Sequence, residues 1–304
     1  MKKIIIAVLL IIASQSFAVD TSGKVLLTGG VTQLEGAGGG GLTPWALIGS
    51  YGTEDEVGAN VFKTQVNTQD YTLEVTGVMV GLFDRVELSY ARQNFNIQSL
   101  GKALTPVAGT TFNSRLRQDI YGIKVKVYGD ALLEQDSWVP QIAIGALKKK
   151  LMPDDTQNAT GNKKISDAIN AADDEGTDIY VSATKIILDQ SLLLNLTLRN
   201  TKANQMGLLG FGYKGEDKAK TVVEFSAGYL LTQHIALGYE YRQKPDNLKA
   251  IPGLANFKEE AFSDLFIAWA PTKNISLTVA YATLGTIVTD VKQKGFYSSI
   301  QIGF

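Results

Sequence analysis

The last ten residues of the chain, G-F-Y-S-S-I-Q-I-G-F (Gly295 to Phe304), decide the fold. Successive side chains of an extended strand point to opposite sides, so Phe296, Ile300 and Phe304 share one face. Gln301 lies on the other face. An alternating strand that ends the chain on an aromatic residue is typical of a transmembrane β-barrel closing on its final strand. The segment therefore predicts such a barrel.

The beginning of the chain has the pattern of an export signal, from Met1 to Ala18. Two lysines are followed by the apolar run Ile4 to Ala13, and Ser16 and Ala18 supply the small residues that a signal peptidase requires. The apolar run is shorter than the roughly 20 residues of a membrane-spanning helix. This length disfavours a retained anchor, and we expect a cleaved signal peptide and export to the outer membrane.

Composition excludes several classes of protein. The chain contains no cysteine, which rules out disulfides, thiol catalysis and cysteine-built metal sites. Removal of Lys2 and Lys3 with the signal leaves 27 basic and 30 acidic residues, a net charge of −3. Nucleic-acid binding requires a basic surface, so we expect no nucleic-acid partner.

An alternating pattern of polar and apolar residues repeats along the rest of the chain. The segments are about 9 to 13 residues long, which suits a tilted strand that crosses a bilayer. The twelve predicted strands are Val57 to Asn67, Tyr71 to Leu82, Arg85 to Asn96, Leu116 to Tyr128, Trp138 to Lys149, Thr177 to Leu188, Leu192 to Ala203, Thr221 to Leu231, Ile235 to Lys244, Glu259 to Ala270, Ile275 to Leu284 and Gly295 to Phe304. Trp45 to Tyr51 and Lys24 to Thr28 are candidates for a further pair, which would make fourteen.

The connections between the predicted strands alternate between short and long. We expect the short turns to face the periplasm and the longer loops to face the outside, as in outer-membrane barrels. Lys150 to Gly176 is the longest connection, and it holds a possible short helix around Ile165 to Ala172. The predicted fold is thus an all-β, antiparallel, up-and-down transmembrane barrel of about twelve strands (12–14).

The predicted organisation has three parts. Met1 to Ala18 is the signal peptide, and Val19 to Pro44 is a glycine-rich segment that either plugs the lumen or forms a first strand. Trp45 to Phe304 is the barrel. Glycine allows close approach of backbone to backbone, so the run Gly36 to Gly41 suits a segment that crosses close to or inside the barrel.

The two faces of the strands differ in polarity. Leu194, Leu196 and Leu198 alternate with Asn195 and Thr197, and we expect the leucines to face lipid. A soluble β-sandwich has the same period with its apolar face inward. The export signal and the strand lengths favour the membrane barrel.

Charged residues on the polar faces form the predicted lumen lining. They line a water-filled passage that selects solutes, or they pair with one another and fill a narrow interior. Their mixed signs favour pairing. The set is Glu74, Glu87, Lys124, Lys126, Arg199, Glu224, Glu240, Arg242 and Asp264.

The chain contains motifs that occur in enzymes, but they do not have the structural context that their function requires. G-x-G-x-x-G occurs at Gly36 to Gly41 and at Gly210 to Gly215, but neither copy leads from a strand into a helix. A hydrolase of this architecture would need a histidine base, and the only histidine, His234, lies in a predicted periplasmic turn. We expect no enzymatic activity, no cofactor and no metal site.

Four segments carry a resemblance to a known family. They are G-G-V-T-Q-L-E-G-A-G-G-G-G-L-T-P-W (Gly29 to Trp45), T-K-A-N-Q-M-G-L-L-G-F-G (Thr201 to Gly212), A-L-G-Y-E-Y-R-Q-K-P-D-N-L (Ala236 to Leu248) and D-L-F-I-A-W-A-P (Asp264 to Pro271). The chain resembles the domain-of-unknown-function family 3034 over nearly all of its mature length. The resemblance implies an exported barrel and supplies no functional residues.

These inferences predict a passive, porin-like channel for small solutes. The alternative is a closed barrel with a structural or interaction role, its lumen filled by ion pairs and the N-terminal segment. The expected partners are outer-membrane lipid, small solutes and, through Phe304, the outer-membrane assembly machinery.

Overall fold

The protein is a closed, all-β barrel in the computed structural model, which describes residues 24, 26, 27, 29–97, 115–152, 164–248, 257–287 and 291–304. Within these residues a short pair, β1 (Val31–Thr32) and β2 (Gly38–Gly39), precedes twelve wall strands. The wall strands are β3 (Val57–Thr68), β4 (Thr72–Leu82), β5 (Val86–Asn96), β6 (Arg115–Tyr128), β7 (Gln141–Leu151), β8 (Glu175–Ile187), β9 (Leu192–Thr201), β10 (Lys220–Thr232), β11 (Ile235–Arg242), β12 (Phe262–Thr272), β13 (Ile275–Thr286) and β14 (Lys292–Gly303).

The last strand closes the ring. Each wall strand pairs antiparallel with its neighbours in the chain, and β14 pairs with β3 in a register that runs from Gly295 opposite Thr68 to Gly303 opposite Asn60. The Phe304 N–H donates to the Ala59 carbonyl at 2.8 Å, and the Ala59 N–H donates to the Phe304 carbonyl at 3.0 Å. The predicted closing strand and the count of twelve are confirmed. Closure leaves no unpaired strand edge.

The two ends of the barrel differ in the length of their connections. At the end where β3 begins and β14 finishes, most connections are short turns, and we name it the turn end. The opposite end, which we name the loop end, carries the longer connections around residues 97–114, 152–174, 202–219 and 243–261. The asymmetry agrees with the prediction for a barrel of this class.

The wall has an apolar outer face and a mostly polar inner face. On β9, Leu196 and Leu198 are each 49% exposed, whereas Asn195, Thr197 and Arg199 are buried. Because the leucine row lies on the outside, the β-sandwich alternative, which would turn that row into a packed core, does not apply.

Two predicted strand assignments are corrected. Trp45 to Tyr51 and the described residues of the segment Lys24 to Thr28 do not belong to the wall, whose first strand begins at Val57. From Val31 to Ser50 every residue is buried inside the barrel. The backbone of Trp45 to Tyr51 bonds to wall side chains and does not join the strand ladder. The fourteen-strand alternative is therefore wrong.

Some strand boundaries also differ from the prediction. β7 begins at Gln141 and not at Trp138, because Pro140 has no N–H for a strand ladder. β12 begins at Phe262 and not at Glu259, whose side chain binds a loop described below. The predicted signal peptide, Met1 to Ala18, lies outside the described residues.

A small cap covers the loop end. Helix α1 (Ile165–Ala168) falls within the predicted short helix of the longest connection. Ile165 and Ile169 are buried, and Asp173 forms a β-bridge with Phe211 of the neighbouring connection. Among the described residues no helix has the length and hydropathy of a membrane span.

Candidate functional site

The lumen is occupied by the chain's own N-terminal segment, Gly29 to Ser50, which we name the lumen plug. It enters from the turn end, where Lys24 pairs with Asp84 at 2.5 Å. Its tip turns at Gly36, whose φ of +95° is readily adopted only by glycine. A Cβ at Gly36 would lie 3.0 Å from the Cβ of Ala91 on the wall. The glycine-rich composition thus allows the plug to pass against the wall.

Near the turn end the plug is held by one buried ion pair of the wall. The Glu87 carboxylate accepts hydrogen bonds from the N–H groups of Gly38 at 2.9 Å and Gly49 at 2.7 Å. Lys124 lies 2.9 Å from Glu87 and donates to the carbonyls of Gly38 at 2.8 Å and Trp45 at 3.1 Å. Wall side chains thus take the place of strand neighbours for the plug backbone.

Halfway along the barrel, Glu240 of β11 holds the returning part of the plug. Its carboxylate accepts from the N–H of Leu42 at 2.7 Å and from the Thr43 hydroxyl at 2.7 Å. The Thr43 hydroxyl also contacts the Ser226 hydroxyl, which accepts from the Trp45 indole N–H at 3.0 Å. Gly40 lies so close to Glu240 that a Cβ there would overlap the carboxylate.

Towards the loop end the plug tip completes a buried ionic network, which we name the Glu35 cluster. It holds three carboxylates and three cations, and all six are buried. The Glu35 carboxylate contacts Lys149, Arg199 at 3.0 Å and Arg242 at 2.9 Å. Wall carboxylates complete the pairing. The members are Glu35, Lys149, Asp178, Arg199, Glu224 and Arg242.

Eight of the nine predicted lumen residues point inward. Glu87, Lys124, Arg199, Glu224, Glu240, Arg242 and Asp264 are buried among the contacts of the lumen, and Lys126 pairs with Asp84 at the turn end. Glu74 is a correction. It lies on the outer face of β4, because Leu73 and Val75 on either side of it are buried.

The sequence interpretation missed three members of the Glu35 cluster: Glu35, Lys149 and Asp178. Lys149 alternates with Leu147 and Leu151 on the buried face of β7, so strand periodicity was a usable signal for it. Glu35 lies in a segment without periodicity, and no local signal could have found it.

A second segment enters the lumen from the loop end. In this inward loop, Ala203 to Phe211, the Met206 carbonyl accepts from Gln118 and from Lys149, each at 3.2 Å. Gln118 also donates to Gln93 at 3.0 Å, and Gln93 donates to the Leu34 carbonyl of the plug at 2.9 Å. The plug and the inward loop therefore meet through shared wall side chains.

The inward loop is also held by a carboxylate outside the wall strands. Both oxygens of Glu259 lie 3.0 Å from the Gln205 N–H, and Lys244 donates to the Gln205 side chain at 2.8 Å. Burial raises the pKa of Glu259 to about 7, and burial lowers the pKa of Lys244 to about 8. Glu259 is therefore poised to change charge near neutral pH.

Apolar chambers lie on both sides of the plug segment Gly40 to Thr43. The lining of the loop-end chamber includes Leu42, Met206, Phe262 and Tyr297. The lining of the turn-end chamber includes Gly40, Trp45, Phe266 and Ala268.

The other residues and motifs considered as candidate catalytic or metal-binding groups do not form a site among the described residues. His234 lies at the turn end, where its Nδ1 is 2.8 Å from the Ala270 carbonyl. The described residues hold no group of three or more histidine, aspartate or glutamate side chains placed for a metal ion. Of the two G-x-G-x-x-G copies, Gly36 to Gly41 belongs to the plug, and Gly210 to Gly215 begins at the end of the inward loop. Neither leads into a helix.

The model of the family described as "Protein of unknown function (DUF3034)" matches residues 28–301. The chain belongs to this family. The resemblance seen in the four sequence segments is thereby confirmed. No curated protein matches the chain significantly.

The chain is similar to several solved structures of outer-membrane barrels. KdgM porin is 9% identical, with a TM-score of 0.49 over 81% of this chain and 99% of that one. The COG4313 outer membrane channel from Pseudomonas putida F1 is 13% identical, with a TM-score of 0.43 over 86% and 97%. Outer membrane phospholipase A from Escherichia coli is 8% identical, with a TM-score of 0.41 over 84% and 94%.

Proposed function

We propose that the protein is an outer-membrane channel for small solutes that is gated, with a resting state closed by the lumen plug and the inward loop. The observation that carries the proposal is the attachment of the plug. Its backbone is bound to wall side chains such as Glu87 and Glu240 by hydrogen bonds. A hydrogen bond to a charged group contributes about 1.5–3 kcal/mol net, so water or a solute can replace these bonds one at a time.

The membrane location rests on the outer surface. Rows of exposed apolar residues on neighbouring strands, such as Leu196 and Leu198, Leu265 and Ile267, suit contact with acyl chains. The export signal predicted at Met1 to Ala18 provides the route. The turn end then faces the periplasm and the loop end faces the outside. The proposal changes the expected passive channel in one respect, because its lumen must open.

The second candidate is a closed barrel with a structural or interaction role. It is favoured by the Glu35 cluster, in which buried cations and carboxylates balance one another. Separating such charges is costly, so a permanently fixed plug is the competing hypothesis.

The decisive experiment locks the plug with a reversible disulfide. The hydroxyl oxygens of Thr43 on the plug and Ser226 on the wall are in contact, so the variant Thr43→Cys/Ser226→Cys brings two sulfur atoms within bonding reach. The chain has no other cysteine. We expect planar-bilayer recordings to show openings of the reduced variant, none after oxidation, and recovery after reduction.

The single variants Thr43→Cys and Ser226→Cys are the controls, and their conductance should not respond to oxidation. A reduced double variant that is as silent as the oxidised one supports the closed structural barrel and refutes the gated channel. Deleting Gly29 to Gly41 is less informative, because any barrel emptied of its plug is expected to conduct.

A further inference from the structure

The plug segment between Gly40 and Thr43 separates the apolar chambers. Leu42 lines the loop-end chamber, and Gly40 lines the turn-end chamber. Both are held at the same wall residue, Glu240, which accepts the Leu42 N–H and which Gly40 approaches closely. Movement of this short segment would therefore join the chambers into one passage.

Strand β12 runs past both chambers with alternate residues inward. Phe262 lines the loop-end chamber, and Phe266 lines the turn-end chamber. Asp264 lies between them on the same face, 3% exposed. Its cross-strand neighbours are Glu240 on one side and Ala282, a lining residue of the loop-end chamber, on the other.

Asp264 is the polar group of this region that the protein leaves unmatched. Neither carboxyl oxygen has a hydrogen-bond partner among the described residues. Glu240 beside it is satisfied by Leu42, Thr43 and Ser226. Leaving a buried polar group unpaired is unfavourable, and a donor brought by a ligand would remove that cost.

The combination defines a ligand class. Small-molecule sites are lined mainly by apolar side chains, with few polar groups that fix orientation. Here the apolar lining includes Phe262, Ala282 and Tyr297. We infer that the passage formed when this plug segment moves takes small apolar molecules that carry one O–H or N–H donor, with Asp264, which lies between the two chamber linings, as the acceptor. The inference rests on the proposed gated channel and names its solute.

Glu240 has a separate role in this scheme. Because it binds the plug backbone at the boundary between the chambers, it is the residue that a passing solute must displace from Leu42 and Thr43. It positions the plug, and it is not the residue that recognises the solute.

The test uses matched fluorinated probes and the protein in lipid nanodiscs. The probes are 4-fluorobenzyl alcohol, 4-fluorobenzylamine and 4-fluorotoluene, which share an apolar ring and differ in the donor. Fluorine NMR distinguishes saturable binding from partition into lipid, for which empty nanodiscs are the reference. We expect saturable binding of a donor-bearing probe. The alcohol and the amine distinguish a neutral donor from a cationic one.

Two variants locate the site. Asp264→Leu should weaken binding of the preferred donor-bearing probe about tenfold and leave 4-fluorotoluene within about twofold, because only the hydrogen bond to the Asp264 carboxyl group is lost. Ala282→Trp should abolish binding of all probes by filling the loop-end chamber. Val279→Trp is the matched control on the exposed face of the same strand, and it should bind as the wild type does.

Equal binding of all three probes with no effect of Asp264→Leu would overturn the inference, as would the absence of saturable binding. Circular dichroism melting of each variant checks that the barrel is folded. Neither result would affect the disulfide experiment, so the inference about the solute and the proposal of a gated channel can be refuted separately.

Discussion

At the scale of single residues, Glu35 is the contact on which the plug tip depends. One carboxylate that is fully buried faces Lys149, Arg199 and Arg242. Removing one partner of a buried ion pair leaves the others uncompensated in a medium of low polarity. Most of the interaction energy that holds the plug tip in place is therefore concentrated in the Glu35 side chain.

We expect Glu35→Gln to lower the free energy of unfolding by about 3–5 kcal/mol, since it leaves three buried cations facing two carboxylates. Urea unfolding in lipid vesicles measures the change. The matched control is Glu175→Gln, which removes a carboxylate from an exposed pair with Lys148 at 3.1 Å and should have no measurable effect. Equal effects of the two substitutions would contradict the role of the cluster.

Glu259 gives a prediction about pH. Burial raises its pKa in the folded protein to about 7, above the 4.5 of an exposed glutamate. Between these values the folded state keeps a proton that the unfolded state releases, so stability falls as the pH rises from about 4.5 to 7. The total effect is at most about 3 kcal/mol.

Glu259→Gln should flatten this pH dependence. Urea midpoints measured between pH 4.5 and 7.5 should then vary less in the variant than in the wild type. Lys244 does not interfere, because its lowered pKa of about 8 acts above this range. A variant with the same slope as the wild type would show that other groups cause the dependence.

At the scale of elements, the inward loop depends on a glycine that faces the lumen wall. Gly207 has a φ of +100°, and a Cβ there would lie 2.7 Å from the Phe211 ring and overlap the Gln118 side chain. Gly215 has a nearly identical φ of +102° with nothing within 4 Å of its Cβ position. Comparing alanine substitutions at Gly207 and Gly215 therefore separates the cost of backbone strain from the cost of steric contact.

Gly207→Ala should displace the inward loop, whereas Gly215→Ala carries the same backbone cost without the collision. In protein reconstituted into vesicles with the loop end outward, we expect trypsin to cleave faster after Lys202 in Gly207→Ala than in Gly215→Ala. Equal cleavage rates in the two variants would mean that the loop is not packed against Gln118 in the membrane.

The contrast between wall and plug explains what could be predicted from the sequence. Wall strands were predictable because the same two-residue period recurs in each, as in Leu194, Leu196 and Leu198. Trp45 to Tyr51 is apolar enough for a strand but lies in the lumen, because apolar composition does not report the source of backbone hydrogen bonds. The partners of Glu35 come from three different strands, and no local pattern encodes them.

Glu74 was misplaced for a different physical reason. Strand β4 has apolar residues on both faces, with Val75 inward and Val78 outward. In such a strand the pattern does not show which face is the lumen, so the sequence alone does not place the Glu74 charge correctly. Its cross-strand neighbours Gln65 and Asn94 are polar as well, which indicates that the outer face near the loop end lies beyond the hydrocarbon region.

At the scale of the whole molecule, the seam between β14 and β3 completes the ring. Phe304 is 56% exposed, and its backbone pairs with Ala59. We expect Phe304→Ala to leave the thermal stability of the refolded barrel nearly unchanged, because the backbone pairing remains. It should reduce the amount of folded barrel in the outer membrane of cells, which heat-modifiable electrophoretic mobility measures. A normal amount would contradict a role of Phe304 in recognition by the assembly machinery.

The position of the plug before the first wall strand has a consequence for how the molecule forms. Drawing the 22 residues from Gly29 to Ser50 into a finished cylinder would require stripping water from Glu35 before its cations are reached. Wrapping the sheet around the segment avoids this, since β7 to β11 then each bring one cation or carboxylate of the Glu35 cluster to a core that is already present. We therefore expect the sheet to form around the N-terminal segment, and the seam between β14 and β3 to close over a filled interior.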